Sequence, residues 1–294
     1  MPNYNYGFNL EKEIADRSDE DHIFGSDAIP SLAEGIDYKK YLPKGELQNI
    51  GEEKMDCASR SPLNILETKF NYLIIEKIIS KENISWLREN KYFRVEQDFM
   101  GIEFSDAYIA IKSGTTQQGN SLKAPMQAIH EFGLVPKSLL PQVNSFYDYH
   151  NPLRITSQID KLGLEFKERF PIRYDIVYAE DYPSFIKKVM LATGGYAWGQ
   201  IKDGIYQRNE YQFNHAFAIF PPTQYEAFDN YIDQVDGDFI KRLAQDYRLL
   251  PYSYRMILNE NKTPKPMQLK PMTLLEQIRE YLCKSKYWKS CLQH

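Results

Sequence analysis

The sequence predicts an α+β fold in two lobes, with helices gathered in its first half and strands in its second. Three observations lead there. Between Cys57 and about Ile79, apolar residues at Leu63, Ile65, Leu66, Phe70, Leu73, Ile74 and Ile78 recur at helical spacing. Residues 172–179, "IRYDIVYA", alternate in the period-two manner of a half-buried strand. The segments "YAWGQIKD" (196–203) and "HAFAIFPP" (215–222) repeat that alternation between turn residues. A helical lobe followed by a sheet lobe leaves a cleft between them, a common setting for a site.

Residues 1–36 are polar and acidic and are punctuated by Pro and Gly, which predicts an extended arm or short turns. Residues 37–56 read as a loop, because Pro43, Gly45 and Gly51 interrupt any periodicity. The helix from Cys57 follows. Pro62 falls six residues into it and removes a backbone hydrogen bond, so the helix either starts after Cys57 or bends at Pro62. Ser105 or Asp106 caps the next helical segment, and "SGTTQQGNSL" (113–122) then breaks into a loop. A helix over 122–132 carries Pro125 in its first turn and stops at Gly133.

Further helices are predicted over 153–170 and over 182–195, the second stopped by Gly194 and Gly195, with the end of a strand at 225–233. A Pro/Lys-rich connector, "NKTPKPMQLKP", leads into an amphipathic helix, "MTLLEQIREYLCKSKYWK". The expected organisation is an arm (1–36), a main domain (37–233) and a C-terminal extension with its helix (234–294).

Composition narrows the function. Hydrophobic residues make up 43% and charged residues 26%, which is ordinary for a globular chain. A net charge of −4 with no basic stripe argues against a nucleic-acid partner. No run of 18 apolar residues and no signal peptide are visible, so neither membrane insertion nor secretion is expected. The cysteines at 57, 283 and 291 are too sparse for a disulfide framework and suit a reducing compartment. Asp233, Asp236 and Asp238 have acidic spacing but lack the remaining ligands of a calcium loop, and no His/Cys cluster has zinc spacing. The expectation is no metal and no cofactor.

Cys57 is the residue with chemical promise. A thiol at a helix start meets free N–H groups and the positive end of the macrodipole, which favour the thiolate. It needs a base from among five histidines. His22 and His294 lie in polar terminal segments, His130 near a helix C-terminus, and His150 in a turn. His215 opens an apolar strand, where a lone histidine is usually a core residue. Asp229, fourteen residues on, alters that reading, because a hairpin would bring an acceptor beside the imidazole and fix its tautomer.

The order of cysteine, distant histidine, then carboxylate resembles the papain-like cysteine peptidases, in their divergent bacteriophage and bacterial form. "CASRSPLNILE" (57–67) is similar to that family's catalytic helix, "NHAFAIF" (214–220) to its histidine strand, and "FDNYID" (228–233) to the segment bearing the third residue. "YLPKGELQN" (41–49) is similar to the stretch preceding the cysteine, and residues 104–141 to the loop, helix and return that follow. The resemblance implies a papain-like two-lobed fold and hydrolysis of peptide bonds. Cys57 would be the nucleophile, His215 the general base and acid, and Asp229 its orienting partner. Gln48 would be an oxyanion donor, although it stands nine residues before Cys57 where the family has six. Gln118, Gly119 and Asn120, with Asn214, would line a groove taking the substrate backbone as an added strand.

Asp56, directly before the nucleophile, would raise the thiol pKa unless it points away. Self-inhibition would fall to the short N-terminal arm or to the C-terminal tail. The partner expected is a peptide or protein substrate, inside a cell or a virus particle. Two alternatives remain: a catalytically inactive papain-like module that docks in a virion or other assembly, and a Cys–His amidase or acyl transferase on a related fold.

Overall fold

The computed structural model describes residues 7–18, 38–44, 47–96, 99–178, 190–195, 201–202, 205–206, 214–220, 226–230, 240–243 and 252–258. Its elements follow the expected α+β order. Helix α1 (Leu10–Asp16) and a 3-10 turn (Tyr38–Tyr41) precede α2 (Cys57–Ile75) and α3 (Lys81–Glu89). A hairpin of β1 (Phe93–Glu96) and β2 (Phe99–Ile102) leads to α4 (Asp106–Lys112), α5 (Lys123–Phe132), α6 (Phe146–Tyr149) and α7 (Ser157–Arg169). The strands β3 (Ile172–Tyr178), β4 (Leu191–Gly195), β5 (Ile201–Lys202), β6 (Ile205–Tyr206), β7 (His215–Ile219), β8 (Glu226–Phe228), β9 (Ile240–Leu243) and β10 (Tyr252–Leu258) follow.

Helix α2 is the axis of the molecule. It begins at Cys57 and runs through Pro62, so of the two expected alternatives the later start is not adopted. Residues 57–68 are buried without a break, which marks a helix packed on all sides rather than an amphipathic one. Its apolar residues meet β7, β4 and β10 on one side and the smaller helices on the other. Its polar residues tether neighbouring backbone: Glu67 Oε1 accepts from Phe104 N at 2.7 Å, and Asn71 Oδ1 from Ile102 N at 2.8 Å. Phe70 packs edge-on against Phe104 and Phe170, fixing α2 against α7. The chain leaves α2 after Ile75, short of Ile79, and Lys77 adopts φ +59°.

The sheet has the order β3-β10-β4-β7-β8-β9-β6-β5, antiparallel at every pairing except β6 with β9. Residues 252–258 lie between β3 and β4, so the sheet runs past the boundary expected at 233. The helix expected over 182–195 is corrected for its last five residues. Leu191–Gly195 form β4, with Gly194 opposite Ala216 and Gly195 opposite His215. The glycines end a strand rather than cap a helix, because ladder partners on β7 take their backbone groups. Residues 182–189 lie outside the described residues.

Within the described part of the arm, residues 7–18, a helix stands where extended chain or short turns were expected. Asn9 Oδ1 accepts from Lys12 N at 2.9 Å and starts α1. The helix expected over 153–170 is a 3-10 turn at Pro152–Arg154 followed by α7, separated where Thr156 caps Ile159 N. The amphipathic segment at 272–289, with Cys283, lies outside the described residues, as do Cys291, His22, His294 and the acidic run at 233–238.

Candidate active site

Cys57 is the first residue of α2, and its Sγ accepts a hydrogen bond from Ala216 N at 3.3 Å. That bond joins the helix N-terminus to the strand beginning at His215. His215 Nε2 lies 2.8 Å from Asp229 Oδ1, and both side chains are buried. A carboxylate can only accept, so Nε2 carries the hydrogen and Nδ1 is the basic nitrogen of the neutral ring. The hairpin that achieves this is β7 paired with β8, Ala218 opposite Phe228, with Asp229 just beyond the last pair. The structure thus brings Cys57, His215 and Asp229 into one place.

The thiol is fully buried. Burial is the largest influence and pushes its pKa well up; the Ala216 N–H pulls it down, while Asp56, Glu53 and Asp229 add upward pressure. Asp56 does not cap the helix with its side chain. Its carboxylate instead takes Arg60 Nε at 3.0 Å and Tyr149 Oη–H, and Arg60 reaches on to Asp106 at 3.0 Å and Gln142 at 3.2 Å. The acidic neighbour of Cys57 therefore belongs to a buried ion network.

Gln48 is also buried and adjoins the same corner. Its backbone N–H donates to Asn230 O at 3.0 Å, beside Asp229, and its side-chain Nε2 donates to Glu53 Oε1 at 2.6 Å. Asn230 Oδ1 accepts from Asn64 Nδ2 at 2.9 Å. Asn64 stands seven residues, two helical turns, after Cys57 and thus on its stripe of α2.

The groove residues divide. Gly119 adopts φ +81° at the end of a tight hairpin with Thr116, and Gln118 is exposed on that hairpin. Asn120 is buried, with Nδ2 bonded to Ser113 Oγ and Thr115 Oγ1. Its backbone receives a strand, and that strand is the chain's own arm. Asn120 N donates to Gly7 O at 2.8 Å, and Asn9 N to Asn120 O at 2.8 Å, in a parallel bridge centred on Phe8. On its other side, Phe8 N donates to Asn214 O at 3.4 Å. The approach is close: a Cβ at Gly7 would lie 2.3 Å from the Met55 carbonyl carbon, and one at Gly119 would lie 2.2 Å from Gly7 O. Residues 7–9 thus pass between the segment leading to Cys57 and the residue preceding His215.

Helix α1 anchors the arm. Glu13 Oε2 accepts from Leu122 N at 2.7 Å and Lys123 N at 3.2 Å, at the N-terminus of α5, where a carboxylate is well placed. Its Oε1 accepts from Tyr252 Oη at 3.0 Å and Tyr254 Oη at 2.6 Å on β10.

The other described histidines serve the backbone: His130 Nδ1 contacts Ile172 O, and His150 Nε2 contacts Lys54 O, each at 2.8 Å. Among the described residues, no group of three His, Cys, Asp or Glu side chains is placed to hold a metal ion, and no helix is long and apolar enough to cross a membrane. Sequence reading missed Glu53, Arg60, Asn64 and Tyr149. For Asn64 a signal existed, a polar residue on the Cys57 stripe. For Arg60 too, since it stands four residues after Asp56, one helical turn; Glu53 meets its partners in an irregular loop, and Tyr149 reaches Asp56 only through the tertiary fold.

No family model matches the chain, and no characterised protein matches it by sequence. Among solved structures, it is similar to xylellain, a cysteine protease from Xylella fastidiosa. The TM-score is 0.46 at 11% identity, over 82% of this chain and 97% of that one.

Proposed function

We propose that the chain is a papain-like thiol peptidase held in a covered state. The observation that carries this reading is the junction at Cys57. Its sulfur sits at a helix N-terminus against the backbone of the residue following His215, whose imidazole is held by Asp229. Nothing in ordinary core packing calls for a helix-start thiol beside a carboxylate-oriented histidine.

The mechanism follows from those atoms. His215 Nδ1 takes the thiol proton, and the sulfur attacks a peptide carbonyl carbon. The resulting oxyanion meets the Cys57 N–H and the Gln48 side chain. The C–N bond breaks as imidazolium gives its proton to the leaving amine, and water then cleaves the thioester with His215 again as base. Asp229 keeps the ring oriented throughout. A peptide substrate would pair with Asn120 and Asn214 where residues 7–9 now lie. The arm must leave before the chemistry begins, and its departure hydrates the thiol and removes the burial that holds the thiol protonated.

A second reading has an observation of its own. A covered thiol with its pKa pushed up is what a docking module that never uses the cysteine would carry, in a virion or another assembly. An epoxysuccinate inhibitor and a set of fluorogenic peptides separate the two. The peptidase reading expects covalent labelling at Cys57, peptide hydrolysis, and loss of both in Cys57→Ala and His215→Ala. Cys57 reacting no faster than Cys283 and Cys291, with no hydrolysis even in a variant whose arm is displaced, would support the docking module instead.

A further inference from the structure

The backbone between Gln48 and Cys57 is irregular, with Gly51 at φ +73° and Met55 at φ +53°. Such a loop has no ladder to hold it, yet it must fix the spacing between a proposed oxyanion donor and the nucleophile. Two consecutive residues of opposite charge do the holding. Lys54 is fully buried, and its ammonium donates to three backbone carbonyls: Ile50 O at 3.0 Å, Asn144 O at 2.5 Å, and Glu52 O. An ammonium has three hydrogens and here three acceptors, so it fills the place that a bound cation would fill in a carbonyl cage. The loop is thereby folded onto the 144 segment, a docking that Glu52 N to Asn144 O at 2.9 Å reinforces.

Glu53 faces the other way. Its Oε1 accepts from Gln48 Nε2 at 2.6 Å and from Met55 N at 3.0 Å. A carboxylate only accepts, so it selects the nitrogen end of the Gln48 amide and takes one of its two hydrogens. The same oxygen holds Met55, two residues before Cys57, in its left-handed conformation.

We propose that Glu53 and Lys54 are positioning residues for the reaction. Lys54 is the internal cation of the loop, and Glu53 is the acceptor that turns the Gln48 amide so that its second N–H and the Cys57 N–H converge on the oxyanion. This rests on the peptidase reading and adds the parts that set its geometry. Neither residue touches substrate.

The test measures kcat and KM for a fluorogenic peptide, together with the pH dependence of Cys57 alkylation, in the full chain. Near-ultraviolet circular dichroism confirms folding. Glu53→Ala should lower kcat roughly 10- to 100-fold, the scale of a misplaced catalytic group, and leave KM nearly unchanged. Glu53→Gln, whose side-chain carbonyl still accepts from Gln48, should restore most of the rate. It should also move the alkylation profile to lower pH, because Glu53's negative charge opposes the thiolate. Lys54→Ala should lose rate and recover part of it in methylammonium. A folded Glu53→Ala with unchanged kcat, or a Glu53→Gln as impaired as Glu53→Ala, would overturn the inference while leaving a peptidase that turns over. No turnover in the wild type or in a variant with its arm displaced would sink the peptidase reading and this inference with it.

Discussion

Replacing Gly7 with alanine should uncover the Cys57 thiol. Gly7 sits at φ +110°, and an added Cβ would lie 2.3 Å from the Met55 carbonyl carbon and 2.4 Å from its oxygen. Both are backbone atoms of a segment tied down through Lys54 and Glu53, so neither can swing aside. Left-handed backbone alone costs an L-residue about 1–2 kcal/mol, and the clash adds to it. Weakening of the docked arm by about 2 kcal/mol would raise its open population roughly 30-fold. When a covered thiol reacts only through the open state, alkylation follows that population. The assay is iodoacetamide labelling timed by intact mass, with peptide mapping to separate Cys57 from Cys283 and Cys291. Gly114→Ala is the control: it also carries positive φ, +71°, but its Cβ would meet nothing within 4 Å. An unchanged Cys57 rate in folded Gly7→Ala, or an equal rise in Gly114→Ala, would refute the idea that residues 7–9 are the cover.

Asp229→Asn should keep an acceptor for His215 and shift Cys57 alkylation to lower pH, since the Asp229 charge disfavours the thiolate; a rate-against-pH series reads both. Arg60→Met should destabilise the fold by about 3–5 kcal/mol in urea titration, because it strands the buried Asp56 and Asp106 carboxylates. Lys69, which donates to Met256 O beside the Arg255–Asp175 pair, has its pKa pushed down to about 7 by burial and then by Arg255. Between that value and 10.5 the unfolded chain holds a proton that the folded one lacks. Stability should therefore rise with pH across that window, by at most about 1.4 kcal/mol per pH unit, and Lys69→Met should flatten the rise in a series of denaturation curves.

The elements legible in the sequence were those whose signals are local. Ser105 caps α4 through Tyr108 N, Gly133 closes α5 at φ +71°, and Ile172–Tyr178 is the expected strand, although Asp175, Ile176 and Val177 are buried in succession rather than alternately. Cys57 at a helix start and the His215–Asp229 hairpin were visible because a helix end and a two-strand turn are short-range features. What escaped depends on distant partners. Gly194 and Gly195 look like a helix stop until β7 lies beside them. The arm's Asn9-capped helix is too short to show a period, and it is held by Glu13 contacts to residues more than a hundred positions away. The environment of Asp56 was equally hidden. Its own position argues against an active thiol; Arg60, one helical turn on, is a local partner for its carboxylate, while only the fold brings Tyr149 there.

The place of β10 in the sheet sets an order of assembly. β3 and β4 are sequential, and sequential strands commonly pair, but here residues 252–258 lie between them. Both pair antiparallel with that strand and so run parallel to each other, and a nascent chain that has made residues 172–195 lacks the strand that joins them until about sixty further residues have been synthesised. Tyr252 and Tyr254 on the late strand then complete the seat for Glu13, near the start of the chain. A chain that has not yet added β10 would therefore lack half of the anchor of residues 10–16, and these would find their place only after a strand about 240 positions later.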